Sequence, residues 1–238
     1  WPDRPPAGPF GAYTDYTSTH FLVATILAAL DQQRRTEVGA YIDLAQAEAA
    51  QHFISPALLD ISANDYLVTR SGNNDGAMVP HGGFQCTGDD NWIAIAVVDD
   101  AAWRELCRVI KRPDLEAMEE LKLLGGRNAA RTFVEGELTK WTQSQSVDDA
   151  ESKLIAAGIA AHRVQSSDGC LADPQLAHRD AFLWVDHPNR RSIIENSRFK
   201  MSRSECTPTN RAPFVGEHTF DILADILNYD GARIADLA

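Results

Sequence analysis

The stretch from His20 to Arg35, HFLVATILAALDQQRR, limits the possible folds more than any other part of the chain. Threaded onto a helix, Phe21 to Leu30 are apolar on almost every side, and polar residues come only at the end. A helix at the surface of a small domain carries one apolar stripe, whereas a helix apolar all round belongs at the centre of a larger body. Thr14 or Asp15 can cap its start, and Asp15 reads best as a buried, hydrogen-bonded cap. Arg34 and Arg35 close the helix where its dipole favours cations, and can alternatively reach an anionic ligand. The runs Phe21–Ala24 and Ile26–Leu30 are far too short to cross a bilayer.

After Gly39, AYIDLA predicts a short strand in which Asp43 alternates with Ile42 and Leu44 and points to solvent or an arginine. A second helix is expected from Ala45 to about Ile61, with Ala47, Ala50, Phe53, Ile54 and Leu58 on one face and a kink at Pro56. Residues 62–82 lack any period and are rich in Gly and Asn, as in a linker or a functional loop. The texture then changes. GGFQCTGDDNWIAIAVV predicts a β-hairpin, Phe84–Thr87 and Trp92–Val97 about a turn at 88–91. Asp99 or Asp100 starts a helix carrying Trp103, Leu106, Cys107 and Ile110. Helices are expected near Asp114–Leu124, Ala129–Ser144 and Val147–Ala157, with Gly158 ending the last before a strand at Ala160–Gln165. A short helix near Asp173–Arg179, a strand Phe182–Val185, extended chain over Ser192–Ser202, and terminal helices Glu217–Asn228 and Asp230–Leu237 complete an α/β pattern.

Charge and composition exclude several classes. The formal charge is -12, from 34 acids against 22 bases, which repels phosphate backbones and anionic membrane surfaces. Neither nucleic acid nor a membrane is an expected partner, and any anionic ligand needs a local basic pocket. The start, WPDRPPAGPFG, has neither a signal-peptide pattern nor an initiator Met, so a trimmed cytoplasmic protein is expected. Cys86, Cys107, Cys170 and Cys206 are widely spaced and read as reduced thiols. The seven histidines form no ligand pattern, and no metal site is expected. GxSxG, HExxH, Walker A, EF-hand and GxGxxG motifs are all absent.

One loop stands out: Arg70–Gly83, RSGNNDGAMVPHGG. Glycine lets backbone N–H groups approach a ligand closely, so the loop can cover a reactive acyl group or donate to a developing oxyanion. The same residues also describe a plain linker. His81 reads either as an acid or base near neutral pH or as a solvated loop histidine. Asp99 and Asp100 fit a helix start better than a catalytic pair.

Four segments, in order, resemble one family. YTDYTSTHFLVATILAALDQQRRTEVGAYIDLAQAEA looks like a stretch in which an Asp-led helix ends in R-x-T-G-x-G-Q before a strand with x-I/V-D-x-S/A. RSGNNDGAMVPHGGFQCTGDDNWIAIAVVDDAAWREL resembles an R-x-G-N loop followed by P-x-G-x-(F/Y)-x-C, a turn, W/Y-(I/V)-x-(I/V)-A and W-x-x-L. AGIAAHRVQSSDGCLADPQLAHRDAFLWVDHP resembles A-G-I/V-P-x-x-x-V, D-P-Q-L, R-x-F and H-P, and TPTNRAPFVGEHTFDILADILNYDGARIADL resembles A-P-x-(L/V)-G-E-H-T and its sequel. These are the signatures of the class III, CaiB/BaiF-like CoA-transferases.

The resemblance implies a Rossmann-like large domain plus a smaller α/β domain, with two chains interlocked as a homodimer or heterodimer. In that scheme 1–61 is the C-terminal part of the large domain, 62–82 the linker and Gly-rich loop, 83–185 the small domain, and 186–238 a segment returning to the large domain. It implies transfer of CoA between an acyl-CoA thioester and a carboxylic acid through an aspartyl intermediate. No cofactor is held permanently, and the CoA thioester is substrate. The nucleophilic Asp is expected upstream of residue 1, so no catalytic residue is assigned here and the chain reads as a fragment. The substrate-binding loop maps to Gly72, Asn73, Gly76, Pro80, His81 and Gly82. Thr36-Glu37-Val38-Gly39-Ala40 lacks one Gly and the Gln of the family pattern, and Met78-Val79-Pro80-His81 points to a different acyl or acceptor group. Two alternatives share the fold: an α-methylacyl-CoA racemase or related CoA-ester isomerase, and a non-catalytic subunit of a heteromeric transferase.

Overall fold

A computed structural model describes residues 13–208 and 210–237. The chain divides into two compact units, residues 1–164 and 165–238.

The first unit opens with α1 (Tyr13–Thr36), longer at both ends than its sequence pattern predicts. Asp15 lies in its first turn and Arg34 and Arg35 in its last, the charge order its dipole favours. Ser18 and Thr25 return their hydroxyls to the carbonyls of Thr14 and Phe21, so these polar side chains are satisfied within the helix. Glu37 follows at φ 61, a left-handed stop at a non-glycine residue. Residues 38–45 pair with no strand among the described residues, so the strand expected at AYIDLA is not formed. A strand needs a neighbour for its N–H and C=O groups, and none lies beside this segment. The expected second helix is broken in two: α2 (Gln46–Gln51) and α3 (Ser55–Asn64), joined by a 3-10 turn at His52–Ile54. Pro56 sits in the first turn of α3, where its missing N–H costs nothing. Phe21 of α1 stacks on His52 at 4.9 Å and meets Phe53 edge-on at 6.0 Å.

The rest of this unit is built round a three-stranded antiparallel sheet in the order β1 (His81–Gln85), β2 (Trp92–Ala96), β3 (Ala160–Arg163). In β2, Ile93 and Ile95 are buried while Trp92 and Ala94 face outward, the period of two that the sequence shows. Asp99 caps α4 (Asp100–Val109), accepting from Ala102 N at 2.7 Å. Trp103, Leu106 and Cys107, at helical spacing, are buried on one face of α4. Next come α5 (Pro113–Ala117), a 3-10 turn at Glu119–Leu121, α6 (Leu124–Ala129), α7 (Arg131–Thr142) and α8 (Val147–Ala156). The helix expected over Ala129–Ser144 therefore starts two residues later, after a bend at Ala130. Gly158, at φ 74, ends α8: Ile159 N reaches back to Leu154 O and Gly158 N to Ile155 O. Those two bonds form the Schellman closure that favours glycine. One continuous core joins β1 and β2 to α4, α5, α7 and α8, and all its buried members lie between Val79 and Ile159.

The second unit holds α9 (Ser167–Ala172), α10 (Pro174–His178), a hairpin of β4 (Phe182–His187) and β5 (Arg190–Glu195), α11 (Thr219–Asp221) with a π turn after it, and α12 (Gly231–Leu237). Asp173 caps α10, accepting from Gln175 and Leu176, and Pro174 follows it. The helix α9 has no counterpart in the sequence reading. It is six residues long and needs only the Ser166 cap on Gly169 N, a signal too local for periodicity to reveal.

Candidate functional site

The Arg70–Gly83 loop is fixed in place through its own carbonyl oxygens. Arg127, from α6, has no exposed surface and donates to Val79 O at 3.1 Å and to Leu121 O at 3.1 Å. The same guanidinium donates to Asp100 at 2.8 Å and lies over the Trp103 ring at 5.5 Å. Asn128 Nδ2 donates to Gly76 O at 2.9 Å. Arg131 reaches Asp75 O, and also bonds Asn128 Oδ1 at 2.7 Å and Glu135 at 3.1 Å. Thus the short segment 127–131 holds the carbonyls of Asp75, Gly76 and Val79. A fourth carbonyl, Asn73 O, accepts from His81 Nδ1 at 2.6 Å.

That last bond settles the chemistry of His81. A carbonyl only accepts, so the Nδ1 nitrogen carries the proton, and in the neutral ring Nε2 is left as the basic nitrogen. Asn73, His81 and Gly82 come together: a Cβ placed on Gly82 would lie 3.7 Å from Asn73 Cβ. Pro80 follows a cis peptide bond, is buried, and its carbonyl accepts from Val97 N at 3.0 Å, pinning the loop to the end of β2. Gly72 sits at φ 61, the left-handed region that a side chain resists. Gly76 has open space where a side chain would project, so the Asn128 bond and not packing fixes it. Asn74 N donates to Ser71 O and Ala77 N to the Asp75 carboxylate.

The other candidates have structural explanations. Asp15 is exposed and lies within the first turn of α1, so it is not the buried cap expected, and it accepts from Gln46 across the start of α2. Asp43 is exposed between half-buried Ile42 and Leu44, as the alternation predicts. Asp99 caps α4, Asp100 receives Arg127, and Arg35 pairs with Asp31 at 2.6 Å. Burial pushes the Cys86 thiol up and raises Cys107 to about 12, with Glu116 and Asp114 adding to the second effect. Neither is a nucleophile near neutral pH. No group of three potential metal ligands exists among the described residues.

Sequence reasoning missed Arg127, Asn128 and Arg131. RNAAR reads as a solvated helix end, and its one signal is the spacing that puts Arg131 one turn from both Arg127 and Asn128.

The profile of CoA-transferase family III matches residues 1–219. The chain belongs to this family. Among curated family III relatives it is 30% identical over 202 residues to succinyl-CoA:mesaconate CoA-transferase of Haloarcula marismortui, covering 83% of this chain and 49% of that one. It is 26% identical over 249 residues to human succinyl-CoA:glutarate CoA-transferase, covering 98% and 53%. The chain thus spans about half the length of these relatives. A CAIB/BAIF family protein from Brucella suis shares the fold, with a TM-score of 0.81 at 23% identity over 94% of this chain and 58% of that one. No helix among the described residues is long and apolar enough to cross a membrane.

Proposed function

We propose that this chain carries the loop-bearing part of an enzyme that moves CoA between an acyl-CoA thioester and a carboxylic acid. The observation that carries the reading is the Gly72–Gly82 loop: a glycine-containing segment of a family III chain, held by its carbonyls, with His81 Nδ1 bonded to Asn73 O so that Nε2 is the nitrogen offered to a ligand. In this reading an Asp carboxylate on polypeptide outside residues 1–238 attacks the thioester carbonyl. The C–S bond breaks, CoA leaves as thiolate, and an acyl-aspartyl anhydride forms. The thiolate then attacks the aspartyl carbonyl, releasing the donor acid and leaving an aspartyl-CoA thioester. The acceptor carboxylate reverses these steps. Gly72, Asn73, Gly76, Pro80, His81 and Gly82 line the reacting groups, shield them from water and offer donors to negative charge. CoA is substrate and no resident cofactor takes part.

Relatives named for succinyl-CoA favour a dicarboxyl donor of that kind, and transfer over the racemase alternative. The working assembly is a dimer. The test uses the whole protein as encoded, incubated with succinyl-CoA and quenched with hydroxylamine. One Asp becoming a hydroxamate, with CoA appearing on an added dicarboxylate, is the expected result. Absence of any adduct, with α-proton exchange into solvent instead, overturns the transferase reading.

A further inference from the structure

The four ties on the loop differ in what they cost the rest of the molecule. Arg127 is wholly buried and also holds Leu121 O and Asp100, so it belongs to the core as much as to the loop. Asn128 and Arg131 are only partly buried, and their contacts form a chain of their own. Glu135 holds Arg131, Arg131 holds Asn128 Oδ1 and Asp75 O, and Asn128 Nδ2 holds Gly76 O. Asn128 spends both ends of its amide on this chain. Burial separates the same two parts: Val79 and Pro80 are buried, whereas Asp75 and Met78 are half-buried and Ser71–Asn74, Gly76 and Ala77 exposed. The loop therefore has a fixed root at Val79–Pro80 and a detachable middle at Asp75–Gly76.

We propose that Asn128 and Arg131 are positioning residues that latch the middle of this loop, so that its tip moves as one piece about the Val79–Pro80 root. Neither touches the reacting groups; both act through the main chain of Asp75 and Gly76. Two neutral carbonyls held by partly solvated side chains make a weak latch, of the kind that opens on a functional timescale while the core stays shut. Opening it draws Asn73 away from His81, which stays paired in β1, and so breaks the bond between His81 Nδ1 and Asn73 O. The inference rests on the transferase reading only for its consequence, not for the latch itself.

Two readouts separate these. In the whole protein, amide hydrogen exchange is measured for the wild type and for N128A, R131Q and R131K. Expected is exchange about fivefold to tenfold faster in 71–78 for N128A and R131Q, the order of one or two lost hydrogen bonds, with β1, β2 and the melting temperature unchanged. R131K, which can still donate to Asp75 O, restores most of the protection. Unchanged exchange in 71–78, or a rise spread equally over β1 and β2, overturns the latch. In the second readout, thioester hydrolysis is compared with transfer to an added dicarboxylate. A loosened loop admits water, so the hydrolysis-to-transfer ratio rises several-fold in N128A and R131Q with KM altered less than kcat. A loosened loop with an unchanged ratio overturns the positioning role. Wild-type protein that neither transfers nor hydrolyses overturns the transferase reading, while the exchange data still decide the latch.

Discussion

Residues 79–159 and residues 13–64 belong to the same compact unit, yet they solve the burial problem in opposite ways. In the first, seventeen apolar side chains from Val79 to Ile159 close over one another in one core. In the second, among residues 13–64, only Ala49 and Ala50 are buried apolar residues, and Leu22, Val23, Ile26, Leu27 and Leu30 of α1 lie open. One region carries its stability within itself. The other has the composition of a core and the exposure of a surface, and an apolar face of that extent marks an interaction surface. The second unit is a third case: Ile234 is its buried apolar residue among those described, and local charge pairs such as Arg211 with Glu217 tie its segments.

The largest effect should come from Arg127. Arg127→Met strands three carbonyls and the Asp100 carboxylate, and should cost about 3–5 kcal/mol, read as a lower urea midpoint for the 79–159 region. A loss below ~1 kcal/mol would mean that water replaces the guanidinium and that this region is less sealed than its burial indicates.

Next comes a paired truncation. Leu106→Ala, at a side chain with no exposed surface, should cost about 2–5 kcal/mol by leaving a cavity. Leu27→Ala, at 60% exposure on α1, should change the stability of this chain by no more than ~0.5 kcal/mol. Equal losses would break the contrast by showing that α1 is covered in solution, and a concentration-dependent sedimentation profile would identify a second copy as the cover.

The smallest effect is a titration. The Arg211 guanidinium, and then the Phe214 N–H, hold the Glu217 carboxyl well below its ordinary 4.5, at about 2. A depressed carboxylate stabilises the folded form above the unfolded pKa and loses that contribution as pH falls through the folded one. The Arg211–Glu217 fork should therefore persist from neutral pH through 4.5 and open only near 2, seen as a late carboxyl carbon shift. Opening near 4.5 would show that this tie is a solvent-screened surface pair.

The core of residues 79–159 was legible where an element carries its own signal, though α6 was not expected and the helix read over Asp114–Leu124 is broken. Ile93 and Ile95 alternate, Asp99 precedes Trp103 and Leu106 at helical spacing, and Gly158 marks a stop. AYIDLA carries the same alternation and failed as a strand, because pattern reports which face is apolar and not whether a partner exists. The loop was legible in composition alone. Its ties were not, since Asn128 and Asp75–Gly76 are joined across more than fifty positions by bonds that leave no trace in the spacing of either segment. Asp15 failed as a cap because α1 already includes Tyr13 and Thr14, and its carboxylate accepts from Gln46 instead.

The ties on the loop end on peptide oxygens, which every amino acid carries alike. Exchanging the side chains at 76 or 78 leaves the oxygens at 75, 76 and 79 where Arg131, Asn128 and Arg127 meet them. Anchorage and side-chain identity are thus written in separate parts of the same segment. Its exposed side chains can change one mutation at a time while the three oxygens stay held.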